Sequence, residues 1–108
     1  MPRITTYSIN PSIVKKAAQA IAVEVSKLIA IPQEYVVIQV NQDIFLQGEN
    51  QVEGEPFVEV SLFDRGQEKE DEVARIITRE LNRAGCPAVD IYLTRLEKRR
   101  YFENGEHF

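Results

Sequence analysis

Pro56-Phe57-Val58-Glu59-Val60-Ser61-Leu62-Phe63-Asp64-Arg65-Gly66 opens the half of the chain from which the fold is read. Val58, Val60 and Leu62 alternate with Phe57, Glu59, Ser61 and Phe63, the period of a strand with one apolar face. Asp64-Arg65-Gly66 is a turn signal. Beyond it, Val73, Ala74, Ile77, Leu81 and Ala84 recur at helical spacing, which predicts a helix over Gln67–Ala84 with acidic residues in its first turns, where the helix dipole favours them. Gly85 is the expected cap and Pro87 forbids continuation. Val89, Ile91 and Leu93 then alternate with Asp90, Tyr92 and Thr94 as a strand, which completes a β-α-β unit.

The first half carries the same punctuation. Residues 3–9 are rich in Thr, Tyr and Ile and read as a strand, and Asn10-Pro11 is an N-cap followed by proline at the first helical position. Val14, Ala17, Ala18, Ile21, Val25, Leu28 and Ile29 form the stripe of a helix that Pro32 closes, and Tyr35 to Val40 alternates as a strand. Asn41 to Gln51 reads as a loop or hairpin around Gly48, and the tail Tyr101 to Phe108 as a small hairpin around Asn104-Gly105. Pro2 and Pro56 stand 54 residues apart, Pro32 and Pro87 55 apart, and the two Phe-x-x-Gly-Glu runs at Phe45 and Phe102 57 apart. Three nearly equal offsets point to one β-α-β-plus-hairpin unit used twice, about residues 2–52 and 56–108, within one domain of 1–108.

The class expected is α/β (α+β): a four-stranded mixed sheet with both helices on one face, plus short hairpin strands. The uncovered face would carry Tyr35, Val37, Gln39, Phe57, Glu59, Ser61, Asp90, Tyr92 and Thr94. That set is too apolar for open solvent and too polar for a monomer core, so a homo-oligomer whose subunits turn these faces together is expected.

Composition narrows the function. The 108 residues hold 13 Lys+Arg against 17 Asp+Glu, a net charge of −4, which argues against nucleic acid as the partner. No stretch approaches a membrane span and no apolar leader precedes the first strand. Cys86 is the lone cysteine, so an intramolecular disulfide and a cysteine-rich zinc site are excluded, and a cytoplasmic setting is expected. His107, the only histidine, has no companion ligand, and no metal motif is present. Lys98-Arg99-Arg100 reads as a solvated basic run, and Cys86 as a packing residue.

Proline directly after the initiator Met, a strand leading into a helix, the run Ile31-Pro32-Gln33-Glu34-Tyr35-Val36-Val37-Ile38-Gln39-Val40 and the run Pro56 to Leu62 resemble the tautomerase superfamily. Within it the macrophage migration inhibitory factor type is the nearest match, and the closing residues 101–108 look like those of an uncharacterised bacterial subset. The resemblance implies a homotrimer, a cofactor-free active site between subunits, and an N-terminal proline as base. Two positions depart from the pattern: Ile31 stands where the family has a lysine, and Tyr92 where it often has an asparagine.

The chemistry of Pro2 agrees with that implication on one condition. If Met1 is removed, the Pro2 nitrogen is a secondary amine; if it is retained, the nitrogen is an amide with neither proton nor basicity. An α-amine titrates near about 8, and desolvation or a nearby cation brings it toward neutrality, where a general base works best. Such a base can ketonise a small enol or keto acid.

By the repeat, Arg65 corresponds to the segment around Pro11, where the resemblance places a substrate-binding arginine. Holding a carboxylate and being a solvated turn residue are both open to it. Glu59 is either a proton-handling group or the structural partner of Arg65 or of a basic residue on another subunit. Tyr92 either stabilises enolate charge or packs at an interface, and Tyr101 with Phe102 either desolvates the amine or glues subunits. The alternative for the whole chain is a non-catalytic oligomeric ligand-binding or interaction module, an inactive tautomerase fold or a ferredoxin-like sandwich with antiparallel pairing.

Overall fold

The computed structural model describes residues 2–108; Met1, and with it the question of its removal, lies outside them. The elements are β1 (Arg3–Tyr7), α1 (Pro11–Leu28), a 3₁₀ turn (Gln33–Tyr35), β2 (Val37–Asn41), β3 (Phe45–Gln47), β4 (Asn50–Val52), β5 (Phe57–Phe63), α2 (Gln67–Ala84), β6 (Asp90–Leu96), a second 3₁₀ turn (Lys98–Arg100), β7 (Phe102–Glu103) and β8 (Glu106–His107). Among the described residues, four strands form one mixed sheet in the order β2-β1-β5-β6, and the pairs β3/β4 and β7/β8 are separate hairpins.

Each helix makes a parallel crossover. β1 pairs parallel with β2 and β5 parallel with β6, while β1 and β5 meet antiparallel at the centre. This pairing corrects the ferredoxin-like alternative, which requires the strands on either side of a helix to be joined otherwise. The helix-facing side carries Ile4, Val58, Val60 and Leu62, all at most 1% exposed, packed on Val14, Ala17, Ile21 and Val25 of α1 and Val73, Ile77 and Leu81 of α2. Burial of branched apolar side chains between two helices and one sheet face is the main stabilising term.

The helix boundaries follow their local signals. The Asn10 side chain accepts a hydrogen bond from the Ser12 N–H at 2.9 Å, satisfying one free donor of the first turn, and Pro11 sits where no intrahelical N–H is needed. Gly85, at φ +121°, ends α2 and lets the Cys86 N–H reach the Leu81 carbonyl at 2.9 Å. Cys86 is buried, and that burial pushes its thiol pKa up.

Three expected boundaries shift. The first strand stops at Tyr7, because Ser8 takes φ +60° and turns the chain into the helix cap. Gln33–Tyr35 is a 3₁₀ turn, closed by the Tyr35 N–H on the Pro32 carbonyl at 3.1 Å and the Val36 N–H on that of Gln33 at 3.0 Å, so the second strand begins at Val37. Tyr35 therefore leaves the open sheet face and stands beside it. The last strand starts at Asp90, whose N–H donates to the Pro56 carbonyl at 3.2 Å.

Candidate functional site

The register places the candidate base. Arg3 lies opposite Val37 of β2 and Ser61 of β5, so Pro2 sits between the start of β2 and the end of β5, and it is buried. A small cleft of about 240 Å³ lies here, lined by Pro2, Arg3, Ile4, Tyr35, Val37 and Gln39. Tyr35 and Val37 also wall a larger cleft of about 600 Å³, to which β5 and its turn contribute Phe63, Asp64 and Arg65, and the C-terminal segment Lys98, Tyr101 and Phe108.

The far wall of the larger cleft is aromatic. Phe63 meets Tyr101 edge-on at 5.4 Å and Phe108 at 5.0 Å, and Tyr101 meets Phe108 edge-on at 5.3 Å. The Phe108 N–H donates to the Tyr101 carbonyl at 3.0 Å, which fixes the tail against β5. Lys98 holds its ammonium 5.9 Å from the centre of the Phe63 ring.

Arg65 is anchored on one side. Its Nη1 donates to the Ile29 carbonyl at 2.9 Å, and Lys69 Nζ donates to that of Leu28 at 3.0 Å, so two cations satisfy the carbonyl end of α1. Asp64 accepts from the Gly66 N–H at 2.9 Å and lies 3.7 Å from Arg95.

Of the residues singled out from the sequence, Pro2, Arg65 and Tyr101 come together around the two clefts. Glu59 and Tyr92 stand opposite each other in the row of the open face that passes through Thr5, the middle of β1, and neither lines a cleft. The Tyr7 hydroxyl donates to Glu59 Oε1 at 3.3 Å, so Glu59 does not pair with Arg65. Tyr7, Phe57 and Tyr92 stack in a row, with centroids 4.4 and 6.1 Å apart. Desolvation, followed by the Glu59 charge, pushes the pKa of both Tyr7 and Tyr92 up. Phe102 points away from the cleft and packs edge-on against His107 at 4.7 Å.

Sequence reasoning did not place Tyr35, Val37, Lys98 or Phe108 in the cleft. The signal available for Phe108 was the tail's aromatic spacing; none showed that Lys98 faces inward from the basic run. Among the described residues no group of three or more His, Cys, Asp and Glu is disposed to hold a metal ion, and no helix is long and apolar enough to cross a membrane.

Comparison with solved structures bears out the expected fold, that of the macrophage migration inhibitory factor and 4-OT type. A macrophage migration inhibitory factor-like protein from Entamoeba histolytica superposes with a TM-score of 0.68 at 16% identity, covering 99% of this chain and 98% of that one. A fused 4-OT, described as an asymmetric trimer, superposes at 0.78 with 11% identity over 98% and 95%. The chain belongs to the family described as Domain of unknown function (DUF1904), whose model matches residues 1–107. A DUF1904 domain from Sebaldella termitidis is similar over 100% of both chains, with a TM-score of 0.86 and 25% identity. Among curated proteins, none matches the sequence.

Proposed function

We propose that this chain is a cofactor-independent tautomerase that assembles as a homotrimer in the cytoplasm and moves a proton between oxygen and carbon of a small enol or keto acid. The observation that carries the reading is the position of Pro2: buried at the head of β1, against the wall that Tyr35 and Val37 share with the Arg65 cleft. With Met1 removed, the Pro2 nitrogen is a free secondary amine in partly apolar surroundings, which lower its pKa toward neutrality.

In the proposed step the amine takes the enol hydroxyl proton. The oxygen electron pair re-forms the carbonyl, and the proton returns from the ammonium to the neighbouring carbon, so atoms and electrons balance. Arg65 holds the carboxylate with the guanidinium nitrogens not given to Ile29, and Tyr101 with Phe63 and Phe108 excludes water. Glu59, Tyr92 and Phe102 serve the assembly, since they stand on the exposed sheet face and at the tail rather than at the clefts. The open face supports a trimer because it sets Val37, Phe57 and Tyr92 beside polar residues, and the fused 4-OT of the same fold is described as a trimer.

Mass spectrometry of native protein is expected to show loss of Met1. Phenylenolpyruvate is expected to ketonise faster than in buffer, and Pro2→Ala to lose about a hundredfold or more of the excess. No excess over buffer in a verified Met1-free sample would remove the activity. One observation favours a second reading, a non-catalytic oligomeric module: Arg65 spends a guanidinium nitrogen on helix α1, a purely structural task.

A further inference from the structure

The strand alternation puts three charged residues on the open face of the sheet among the described residues: Arg3, Glu59 and Asp90. Six of the eight arginines have a carboxylate within ion-pair distance, and Arg65 holds the Ile29 carbonyl. Arg3 has neither kind of partner among the described residues, and it is exposed. Glu59 is half-buried; it accepts from the Tyr7 hydroxyl through Oε1 at 3.3 Å and has no cation within ion-pair distance.

These two charges are close in register. Arg3 stands opposite Ser61 and Glu59 opposite Thr5, so they are diagonal neighbours, within reach of long side chains. Glu59 nevertheless turns the other way, to Tyr7. One chain thus leaves a cation and an anion without each other on a face that also exposes Val37 and Tyr92, 66% and 49% accessible. Asp90 differs, since it is exposed at the corner where β6 begins.

Covering this face takes both charges out of water. A charge buried without a partner costs far more than one that is paired and hydrogen-bonded. A second copy of the same chain supplies the missing opposite charge to each, and a head-to-tail contact repeats that match at every step of a ring.

We propose that Arg3 of one copy pairs with Glu59 of the next across the open sheet faces, while Tyr7 of that next copy holds the same carboxylate from its other side. The fork of the guanidinium then fixes the register of the two faces, which apolar side chains alone leave free to slide. This inference rests on the homotrimer part of the proposed function and on none of its chemistry.

The test is light scattering of the full chain, with circular dichroism confirming that each variant is folded. The wild type is expected at three times the 12.4 kDa chain. Arg3→Glu and Glu59→Arg each set like charges across every contact, and each alone is expected to fall toward the monomer. Mixing the two is expected to return the mass toward the trimer, because a ring holding both variants has opposite charges at two of its three contacts. The double variant Arg3→Glu/Glu59→Arg is expected to assemble by itself. Arg3→Gln, which removes the charge without reversing it, is expected to raise the concentration at which the trimer half-dissociates by about tenfold or more.

A wild-type trimer that Arg3→Glu leaves intact overturns the pair and leaves the trimer standing. Recovery in the double variant but not on mixing overturns it too, because the pair then lies within one chain. A wild type that is monomeric at every concentration overturns pair and trimer together, whereas a dimer with the same mixing pattern keeps the pair and overturns the trimer. If a charge reversal unfolds the chain, Arg3→Gln and Glu59→Gln decide, and unchanged dissociation of both overturns the pair.

Discussion

Arg65 is assigned two tasks, and its replacement separates them. Its Nη1 holds the Ile29 carbonyl at 2.9 Å, while Lys69 independently holds that of Leu28 at 3.0 Å. Arg65→Gln removes the first contact and leaves the second. A hydrogen bond of this kind contributes about 0.5–1.5 kcal/mol, and the low end applies because the side chain is exposed and α1 keeps its other cation. For a chain of this length each kcal/mol moves Tm by about 4–8 °C, so a loss of only a few degrees is expected. A substrate carboxylate gripped by the same guanidinium is worth more, about 1.5–3 kcal/mol, which raises KM roughly ten- to a hundredfold.

The expected signature is therefore a small loss of stability with a large loss of affinity. Circular dichroism melting reads the first, and initial rates of phenylenolpyruvate ketonisation across concentration read the second. Arg65→Lys, which keeps the charge but cannot fork, is expected to fall between wild type and Arg65→Gln in KM. A variant that melts several degrees lower while its KM stays within about twofold of wild type would refute the carboxylate role and leave Arg65 a tether of α1.

Three further outcomes are expected. Gly54→Ala places a Cβ 2.3 Å from Ser8 Oγ and 2.4 Å from the Phe45 ring, so it destabilises by about 1–3 kcal/mol, and the Phe45→Ala background relieves most of that in a double-mutant cycle followed by thermal melts. Tyr7 ionises above its ordinary 10.0, because burial and then Glu59 raise its pKa. The stability this contributes is complete below 10.0 and is lost as pH rises through the higher folded value; Glu59→Gln narrows that window in a tyrosinate absorbance titration. Light scattering of the native protein is expected to give about 37 kDa, three times the 12.4 kDa chain, and Val37→Glu, on a side chain 66% exposed in the single chain, to shift it toward the monomer.

The elements were legible where a local signal settles the matter. Asn10 with Pro11 starts α1, Gly85 with Pro87 ends α2, and the alternation of Phe57–Phe63 is that of the observed β5. Tyr35 was misread because Tyr35-Val36-Val37 looks like a continuous strand, whereas the Pro32 carbonyl captures the Tyr35 N–H and closes a turn. The candidate site was legible only in part, for a geometric reason. Alternation tells which sheet face a residue occupies but not which row of it, so Glu59 and Tyr92 fell into one set with Val37 although they stand along the sheet from it. Lys98 and Phe108 join Arg65 by a tertiary fold-back of the tail onto Phe63, and no short-range pattern reports that.

The sheet has two ends related by its topology: Pro2 opens β1 as Pro56 opens β5, and each strand leads into a helix and a parallel partner. The ends nevertheless differ in chemistry. The cleft at Pro56, about 550 Å³, is lined by Ser8, Asn10, Gln42, Asp43 and Glu53 among others and holds no lysine or arginine, whereas Arg3, Arg65 and Lys98 line the clefts at the Pro2 end. Pro56 is bonded on both sides, so its nitrogen stays an amide whatever surrounds it. Among the described residues the Pro2 end pairs arginine and lysine side chains with a nitrogen that loss of a single residue turns into an amine. Two seats of like backbone are thus made unequal by their side chains and by one peptide bond, and under the proposed reading that bond, at Met1, switches the chemistry on.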